Sequence, residues 1–129
     1  MEKDFSKLTA LVVDDDTVLQ MMMEKELITK GIRSVVASNG YEALLMLQKE
    51  SFDFVLMDIS MPEQDGMDTA RWIRDLKNTR NQNIPIFAVT SFGDKEHTRE
   101  ILDAGFNEHL VKPFELSQLV KLLEKYFWA

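Results

Sequence analysis

The chain of 129 residues has room for one domain, and its 45% hydrophobic and 29% charged residues are typical of a globular protein. It contains no cysteine, which excludes disulfides and thiolate chemistry, and its net charge of −7 argues against direct nucleic-acid binding, since such domains present basic faces. Met1 is followed by charged residues and no apolar run approaches the ~20 residues of a membrane span, so we expect no membrane insertion and a cytoplasmic location.

Short apolar runs predict the strands of a β-sheet. They are residues 10–13, 34–37, 54–57, 86–89 and 109–111. Runs that are apolar on both faces suit a parallel sheet that is covered on both sides. We therefore expect these runs to form buried, parallel strands.

Helical patterns alternate with these runs. Thr17 and Gln20 form a capping-box pattern that predicts the start of helix 1, and Gly31 supplies its stop. Asn39 and Glu42 predict the start of helix 2 in the same way. The apolar residues of both helices recur at helical spacing: Leu19, Met23 and Leu27, then Ala43, Leu44 and Leu47.

Further helices are predicted later in the chain. Helix 3 follows a loop that contains Pro62, Asp65 and Gly66, whereas Asp94 is expected to cap helix 4, which ends near Gly105. The apolar positions of helices 3 to 5 are Met67, Ala70 and Ile73, then Ile101 and Leu102, then Leu116, Leu119, Val120, Leu123 and Phe127.

The alternation of strands and helices predicts a doubly wound α/β domain with helices on both faces of a parallel sheet. We expect a single domain over residues 1–129, with its core between about residues 8 and 127. Ligands of such folds bind at the carboxyl ends of the strands, where the strand order reverses. The residues that follow each strand are therefore the candidates for function.

Polar residues stand at the end of every predicted strand. Strand 2 ends at Ser38 and Asn39, without an ionisable group, as an edge strand would. The groups after the other strands are, in chain order, Asp14, Asp15 and Asp16; Asp58; Thr90 and Ser91; and Lys112. Because the carboxyl ends of parallel strands meet at one edge of the sheet, we expect these groups to lie close together.

Carboxylates that converge at one edge repel each other, and each raises the pKa of its neighbours. A hard divalent cation resolves this conflict, and Mg²⁺ prefers oxygen ligands and is held by one or two carboxylates together with phosphate. We predict that Asp15 and Asp58 bind Mg²⁺ directly and that Asp14 acts through water or assists. The backbone carbonyl of Ser60 is the further predicted ligand.

A carboxylate beside a bound cation can accept a phosphoryl group as an aspartyl phosphate. Such a transfer needs little beyond positioning and neutralisation of charge. We predict that Asp58 is the acceptor, that Mg²⁺ and Lys112 each neutralise one phosphoryl oxygen, and that the Thr90 hydroxyl binds the third.

The sequence resembles the receiver domain of two-component response regulators over essentially its whole length. The matching stretches are LVVDDD at 11–16, VLMDISMPEQDG at 55–66, IPIFAVTS at 84–91 and HLVKPF at 109–114. The resemblance implies a flavodoxin-like sheet with the strand order 2-1-3-4-5, as in the chemotaxis member of the family. It assigns phosphorylation to Asp58, the acidic pair to Asp14 and Asp15, the switch hydroxyl to Thr90 and phosphate binding to Lys112. The bond between Lys112 and the following proline is often cis in the family.

The resemblance also implies partners. A histidine kinase or phosphotransfer domain would donate the phosphoryl group, and a downstream protein or output domain would bind the surface of helix 4, strand 5 and helix 5. A phosphorylation-dependent dimer is compatible with this scheme. The implied protein is a signalling switch rather than an enzyme, with only weak phosphorylation and dephosphorylation activity of its own.

Some residues have competing interpretations. His109 stands where receivers usually carry Tyr or Phe, so it is a candidate switch residue that swings inward, a source of pH sensitivity, or a strand residue without a switching role. Asp16 is interpreted as a helix cap or turn former. The aromatic ending at 126–128 is expected to pack within the molecule rather than on a partner.

Rival functions remain open at this point. A haloacid-dehalogenase-like phosphatase would use Asp14 as nucleophile and Asp16 as acid/base, but it leaves Asp58 unexplained and lacks a later acidic pair. A flavodoxin-like cofactor binder would need a phosphate-binding loop where this chain has carboxylates. A degenerate receiver that serves only for docking would not need the complete set of acids, Thr90 and Lys112.

Overall fold

The computed structural model describes residues 4–59, 66–76, 81–90, 95–112 and 114–128, and the side chains of residues 95–97 lie outside this description. Its parallel sheet has the order β2-β1-β3-β4-β5, which confirms the doubly wound α/β fold. The strands are β1 (Thr9–Val13), β2 (Arg33–Ala37), β3 (Phe54–Asp58), β4 (Ile86–Thr90) and β5 (Glu108–Val111). The helices are α1 (Thr17–Thr29), α2 (Gly40–Lys49), α3 (Gly66–Arg74), α4 (Lys95–Asp103) and α5 (Leu116–Phe127), preceded by a 3₁₀ turn at Phe5–Lys7.

Every predicted strand lies inside an observed one. The differences are single residues at strand ends, and Asp58 and Thr90 are the last residues of β3 and β4 rather than the residues after them. Both remain in the sheet because each still pairs with the neighbouring strand: Asp58 lies opposite Val89, and Thr90 lies opposite Val111.

Two hydrophobic layers cover the sheet, because successive strand residues point to opposite faces. On one face, Leu11, Val55 and Ile86 pack in a layer that is completed by α2, α3 and α4. On the other face, Phe54 and Phe87 pack in a layer that is completed by α1 and α5. The prediction of a parallel sheet covered on both faces is therefore confirmed. Burial of the strands themselves is confirmed for β1, β3 and β4, whereas the edge strands β2 and β5 are only partly buried.

The aromatic C-terminus packs within the molecule, as predicted. Phe127 and Trp128 are partly buried against the α1–α5 layer. The Trp128 ring lies 4.9 Å from the ring of Phe5, between centroids, and the Phe127 ring lies 6.3 Å from that of Phe54. These contacts join both ends of the described chain to the same face of the sheet.

Asp16, not Thr17, caps α1. The Asp16 carboxylate accepts hydrogen bonds from the backbone N–H groups of Val18 and Leu19, at 2.8 and 3.2 Å. The predicted capping box was therefore wrong, because Thr17 is already the first helical residue. Asp16 has the capping role that was the preferred interpretation, since a carboxylate accepts from the free N–H groups of the first turn.

The other predicted helix ends have mixed outcomes. Asn39 caps α2 through a hydrogen bond from the Glu42 backbone N–H, as predicted. Asp94, the predicted cap of α4, lies outside the described residues. Ile101 is buried as expected, whereas Leu102 is exposed.

Candidate functional site

Three carboxylates gather at the carboxyl edge of the sheet. Asp14, Asp15 and Asp58 each offer an oxygen, and these oxygens all lie within 4.8 Å of one another. Asp14 directly follows β1 and is fully buried, Asp58 ends β3 and is 6% exposed, and Asp15 is exposed. The parallel pairing of β1 with β3, in which Val13 lies opposite Met57, brings the two strand ends to the same level.

Lys112 is the cation of this cluster. Its ammonium Nζ lies 3.4 Å from Asp58 Oδ2 and 3.9 Å from Asp14 Oδ2. The Lys112 backbone N–H donates a 2.7 Å hydrogen bond to the Thr90 carbonyl, which ties the end of β5 to the end of β4. Among the described residues, three carboxyl groups share this edge with one ammonium, and this excess of acidic groups favours a further cation.

The environment of the Asp14 carboxyl favours a bound cation. Burial raises the pKa of its carboxyl, and the nearby Asp58 and Asp15 charges act in the same direction, against the Asp16 backbone N–H and Lys112. Its Oδ1 accepts a 2.9 Å hydrogen bond from the Asp16 N–H, whereas its buried Oδ2 accepts none from any residue that the structure describes. A buried carboxylate oxygen without a hydrogen bond is costly, and a bound cation removes that cost.

The donor set suits Mg²⁺. Oxygen ligands, several of them carboxylates, at a partly open edge are what this hard cation requires, and the exposed side of Asp15 leaves room for its waters. Asp14, Asp15 and Asp58 therefore fit the group that the sequence predicted. Ser60, the predicted carbonyl ligand, lies outside the described residues.

Thr90 lies in β4, the strand beside β3, and His109 lies in β5, the next strand outward in the sheet. Thr90 is fully buried at the end of β4, one residue beyond the partner of Asp58. His109 is half-buried in β5, opposite Ala88. Their predicted switching roles remain predictions. Ser91 and the proline after Lys112, with its predicted cis bond, lie outside the described residues.

Gln20 is a residue of the site that sequence analysis misassigned. Its side-chain amide Nε2 donates to the main-chain carbonyl of Asp14 and, at 3.4 Å, to the Ser38 hydroxyl. It therefore joins the end of β1 to the residue after β2, whereas the capping-box pattern had given it a local role in the helix. No sequence signal marks such a contact, because it joins segments that only the fold brings together.

Gly66 is the second residue whose role was missed. A Cβ at this position would lie 2.6 Å from the Asp58 carbonyl oxygen and 2.8 Å from the Ile59 Cα. The start of α3 therefore packs directly against the backbone that carries Asp58. The sequence marked Gly66 only as part of a loop, although a glycine so near a candidate site can indicate close backbone approach.

The fold and the site together define a doubly wound α/β domain with an acidic cluster and a lysine at the carboxyl edge of its sheet. The family model of the response regulator receiver domain matches residues 10–124. The chain therefore belongs to the response regulator receiver domain family. Nothing in these comparisons supports the alternative phosphatase with Asp14 as nucleophile and Asp16 as acid/base.

Relatives of this chain occur both as short regulators and as parts of kinases. The two-component response regulator ARR22 of Arabidopsis thaliana is 36% identical over 125 residues, which cover 95% of this chain and 84% of that protein. Sensor protein GacS of Pseudomonas syringae pv. syringae is 34% identical over 117 residues, which cover 90% of this chain but only 13% of that protein.

One similar solved structure contains a bound magnesium ion. The receiver domain of the sensor histidine kinase PA1611 from Pseudomonas aeruginosa, solved with a magnesium ion coordinated in its active-site cleft, has a TM-score of 0.83 and 30% identity. The alignment covers 92% of this chain and 96% of that one. Among the helices of the described residues, none has the length and apolarity needed to cross a membrane.

Proposed function

We propose that Asp58 accepts a phosphoryl group in a Mg²⁺-dependent reaction. One observation carries the proposal: three carboxylates lie with oxygens within 4.8 Å of one another, beside a lysine whose ammonium is 3.4 Å from Asp58. We further propose that residues 1–129 form one receiver domain, with its core between about residues 8 and 127.

Asp58 is a better acceptor than either neighbouring acid. Asp14 is fully buried and one of its oxygens is held by the Asp16 backbone N–H, so its carboxylate is poorly placed to attack an incoming group. Asp58 ends the central strand and lies nearer than Asp14 to the Lys112 ammonium.

The reaction forms a bond between an Asp58 carboxylate oxygen and phosphorus as the bond from phosphorus to the donor breaks. Asp14, Asp15 and Asp58, with the proposed help of the Ser60 carbonyl, would hold Mg²⁺, which would supply positive charge near the phosphoryl oxygens. The Lys112 ammonium adds a second positive charge at the same place. The buried Thr90 hydroxyl would donate a hydrogen bond to a phosphoryl oxygen.

The phosphodonor we propose is a histidine kinase or a phosphotransfer domain. Support comes from the similar receivers that belong to sensor kinases. The donor must approach the carboxyl edge of the sheet, since Asp58 ends β3 there. Weak phosphorylation and dephosphorylation by the domain itself would follow from the same arrangement of charges.

The output surface we propose consists of α4, β5 and α5. A phosphorylated Asp58 would carry close to two negative charges, which would attract the Lys112 ammonium and the Thr90 hydroxyl. Because the Lys112 backbone is hydrogen-bonded to Thr90, the ends of β4 and β5 would respond together. A downstream protein or output domain would read that change, and self-association on phosphorylation is a further expected readout.

Intact mass spectrometry after incubation with acetyl phosphate and Mg²⁺ tests the acceptor. We expect one added phosphoryl group, which is lost with Asp58→Asn or with chelation of Mg²⁺. Asp16→Asn is the matched control, since asparagine also caps helices and should leave the labelling unchanged. Labelling that survives in Asp58→Asn but is lost in Asp14→Asn would overturn the proposal.

A further inference from the structure

A cavity of about 120 Å³ lies between α1, α5 and the sheet, beside the candidate site. Part of its wall consists of buried apolar side chains: Met23, Leu56, Val89 and Leu119 are at most 7% exposed. The cavity is lined mainly by apolar surface and is partly open to solvent. These side chains pack against one another but leave unfilled space next to Lys112, which also lines the cavity.

The charges around the cavity define what it can hold. Within the described parts of the chain, its charged lining residues are Lys112 and Glu26, and the Lys112 ammonium already faces Asp58 and Asp14. The surrounding carboxylates outnumber this one ammonium, so an anionic ligand would be repelled. A neutral ligand meets no such penalty, and the Glu26 carboxylate can accept a hydrogen bond from an N–H or O–H group.

We propose that this cavity binds a small neutral aromatic molecule that carries one hydrogen-bond donor, of the indole or phenol class. An enclosed apolar cavity of about 150 Å³ is known to bind benzene. The present cavity is smaller, at about 120 Å³, but it is partly open, so a ring can pack against its apolar wall while part of the molecule stays in solvent. Unfilled apolar volume lowers the stability of a protein, and an occupant restores the lost contacts. The proposal does not depend on Asp58 being the phosphoacceptor.

A molecule bound in the cavity would contact the candidate site through Lys112. Lys112 lines the cavity and also lies 3.4 Å from Asp58, so a bound molecule would touch a residue of the candidate site without entering the acidic cluster. Leu56 lies two residues before Asp58, the last residue of β3. Val89 lies directly before Thr90, the last residue of β4. The ligand would thus be in contact with the walls that support Asp58 and Thr90.

Methionine methyl groups offer a direct measurement. We would titrate protein labelled with [methyl-¹³C]methionine with indole and follow the NMR signals. We expect saturable shifts for Met22 and Met23, which line the cavity, and much smaller shifts for Met46 and Met67, which pack on the opposite face of the sheet. Absence of saturable shifts at Met22 and Met23 up to the solubility limit of indole would overturn the proposal.

A pair of neighbouring substitutions locates the binding site. Met22→Trp places a large ring at the rim of the cavity, which Met22 lines although it is 58% exposed. Met21→Trp is the matched control because Met21 is similarly exposed, at 63%, on the same helix but does not line the cavity. We expect Met22→Trp to weaken indole binding about tenfold or more, read from the Met23 signal, and Met21→Trp to leave it unchanged. Equal binding by the two variants would place the ligand elsewhere and overturn the proposal.

A charged analogue tests the chemical class. Benzoate has a similar ring but carries a negative charge, and we expect it to bind about tenfold more weakly than indole or not at all. Benzoate that binds as tightly as indole would contradict the assignment to neutral molecules.

Discussion

The ammonium of Lys112 lies 3.4 Å from a carboxylate oxygen of Asp58 and 3.9 Å from one of Asp14, so one side chain connects the end of β5 to the ends of β3 and β1. This contact spans strands that are distant in the chain. The Lys112 ammonium reduces the repulsion among the carboxylates of the acidic cluster, because its positive charge partly offsets theirs.

Replacing Lys112 by methionine tests the contribution of its charge. The substitution keeps most of the aliphatic volume but removes the ammonium that faces Asp58. We expect phosphorylation by acetyl phosphate to slow about 10- to 100-fold, since a preorganised charge is lost, while Mg²⁺ binding is not weakened. The rate of mass increase and a calorimetric Mg²⁺ titration measure the two effects. An unchanged rate would show that Lys112 does not act on the transferred group.

Gln20 offers a test of indirect control over the metal site. Gln20→Leu removes the amide that holds the Asp14 carbonyl and reaches the Ser38 hydroxyl. We expect Mg²⁺ affinity to fall about tenfold, the lower end of the effect seen when groups that orient metal ligands are removed. Gln48→Leu, at an exposed position of α2, is the control in the same calorimetric titration. Equal affinities in the two variants would contradict the role of Gln20.

Gly66→Ala tests the close approach of α3 to β3. The added Cβ would lie 2.6 Å from the Asp58 carbonyl oxygen, so the strand end or the helix must move. We expect a loss of about 1–3 kcal/mol in the free energy of unfolding, as for other overpacked sites, together with weaker Mg²⁺ binding. Urea unfolding and the Mg²⁺ titration measure the two losses. A variant with unchanged values for both would mean that α3 can shift freely.

Arg74 is expected to be important for stability although it has no carboxylate partner in the described residues. Its guanidinium donates to the carbonyls of Gly105, Gln82 and Ile84 and to the Asn107 side chain, at 2.7–3.0 Å. It thus joins the end of α3 to the segments that precede β4 and β5.

Arg74→Met leaves these acceptors without their donor, and we expect the free energy of unfolding to fall by about 3 kcal/mol. Arg71→Met, three residues earlier on the same helix, is the control. It breaks an exposed ion pair with Asp68, which is worth under about 1 kcal/mol. Similar losses in the two variants, measured by urea unfolding, would refute this account of Arg74.

Tyr126 gives a prediction for high pH. Burial, and then its hydrogen bond to Glu108, raise the pKa of the Tyr126 phenol to about 12. Burial also raises the pKa of Glu108, but hydrogen bonds from Lys125 and Tyr126 outweigh it and hold that pKa below its ordinary value. The Tyr126 contribution to stability is therefore fully present below pH ~10 and is lost as the pH rises from about 10 to 12.

The difference between the wild type and Tyr126→Phe isolates this effect. We expect their stability difference to shrink between pH ~10 and about 12, and the ultraviolet titration of Tyr126 to be centred near pH 12. Glu108→Gln should move that titration to lower pH because the carboxylate charge is removed. A titration in Glu108→Gln that stays near pH 12 would assign the shift to burial alone.

Much of the fold was readable from the sequence, because strands buried on both faces must be apolar at every position. That requirement located β1, β3 and β4 to within a residue, and the shorter apolar runs of the partly buried edge strands β2 and β5 located those as closely. The order of the polar strand ends identified the acidic cluster and Lys112. The error at the start of α1 has a local cause. Asp16 and Thr17 are both good capping residues, and only the backbone geometry determined that the Asp16 carboxylate would accept the two free N–H groups.

The tertiary structure decided what depends on contacts between distant segments. The Asp14 oxygen without a hydrogen bond, the amide of Gln20 on the Asp14 carbonyl and the approach of Gly66 to Asp58 all arise where separate elements pack together. A sequence pattern reports the average environment of a face or a helix turn. It does not report which atoms meet across a packed interface, since that depends on the relative placement of elements to within an ångström or so.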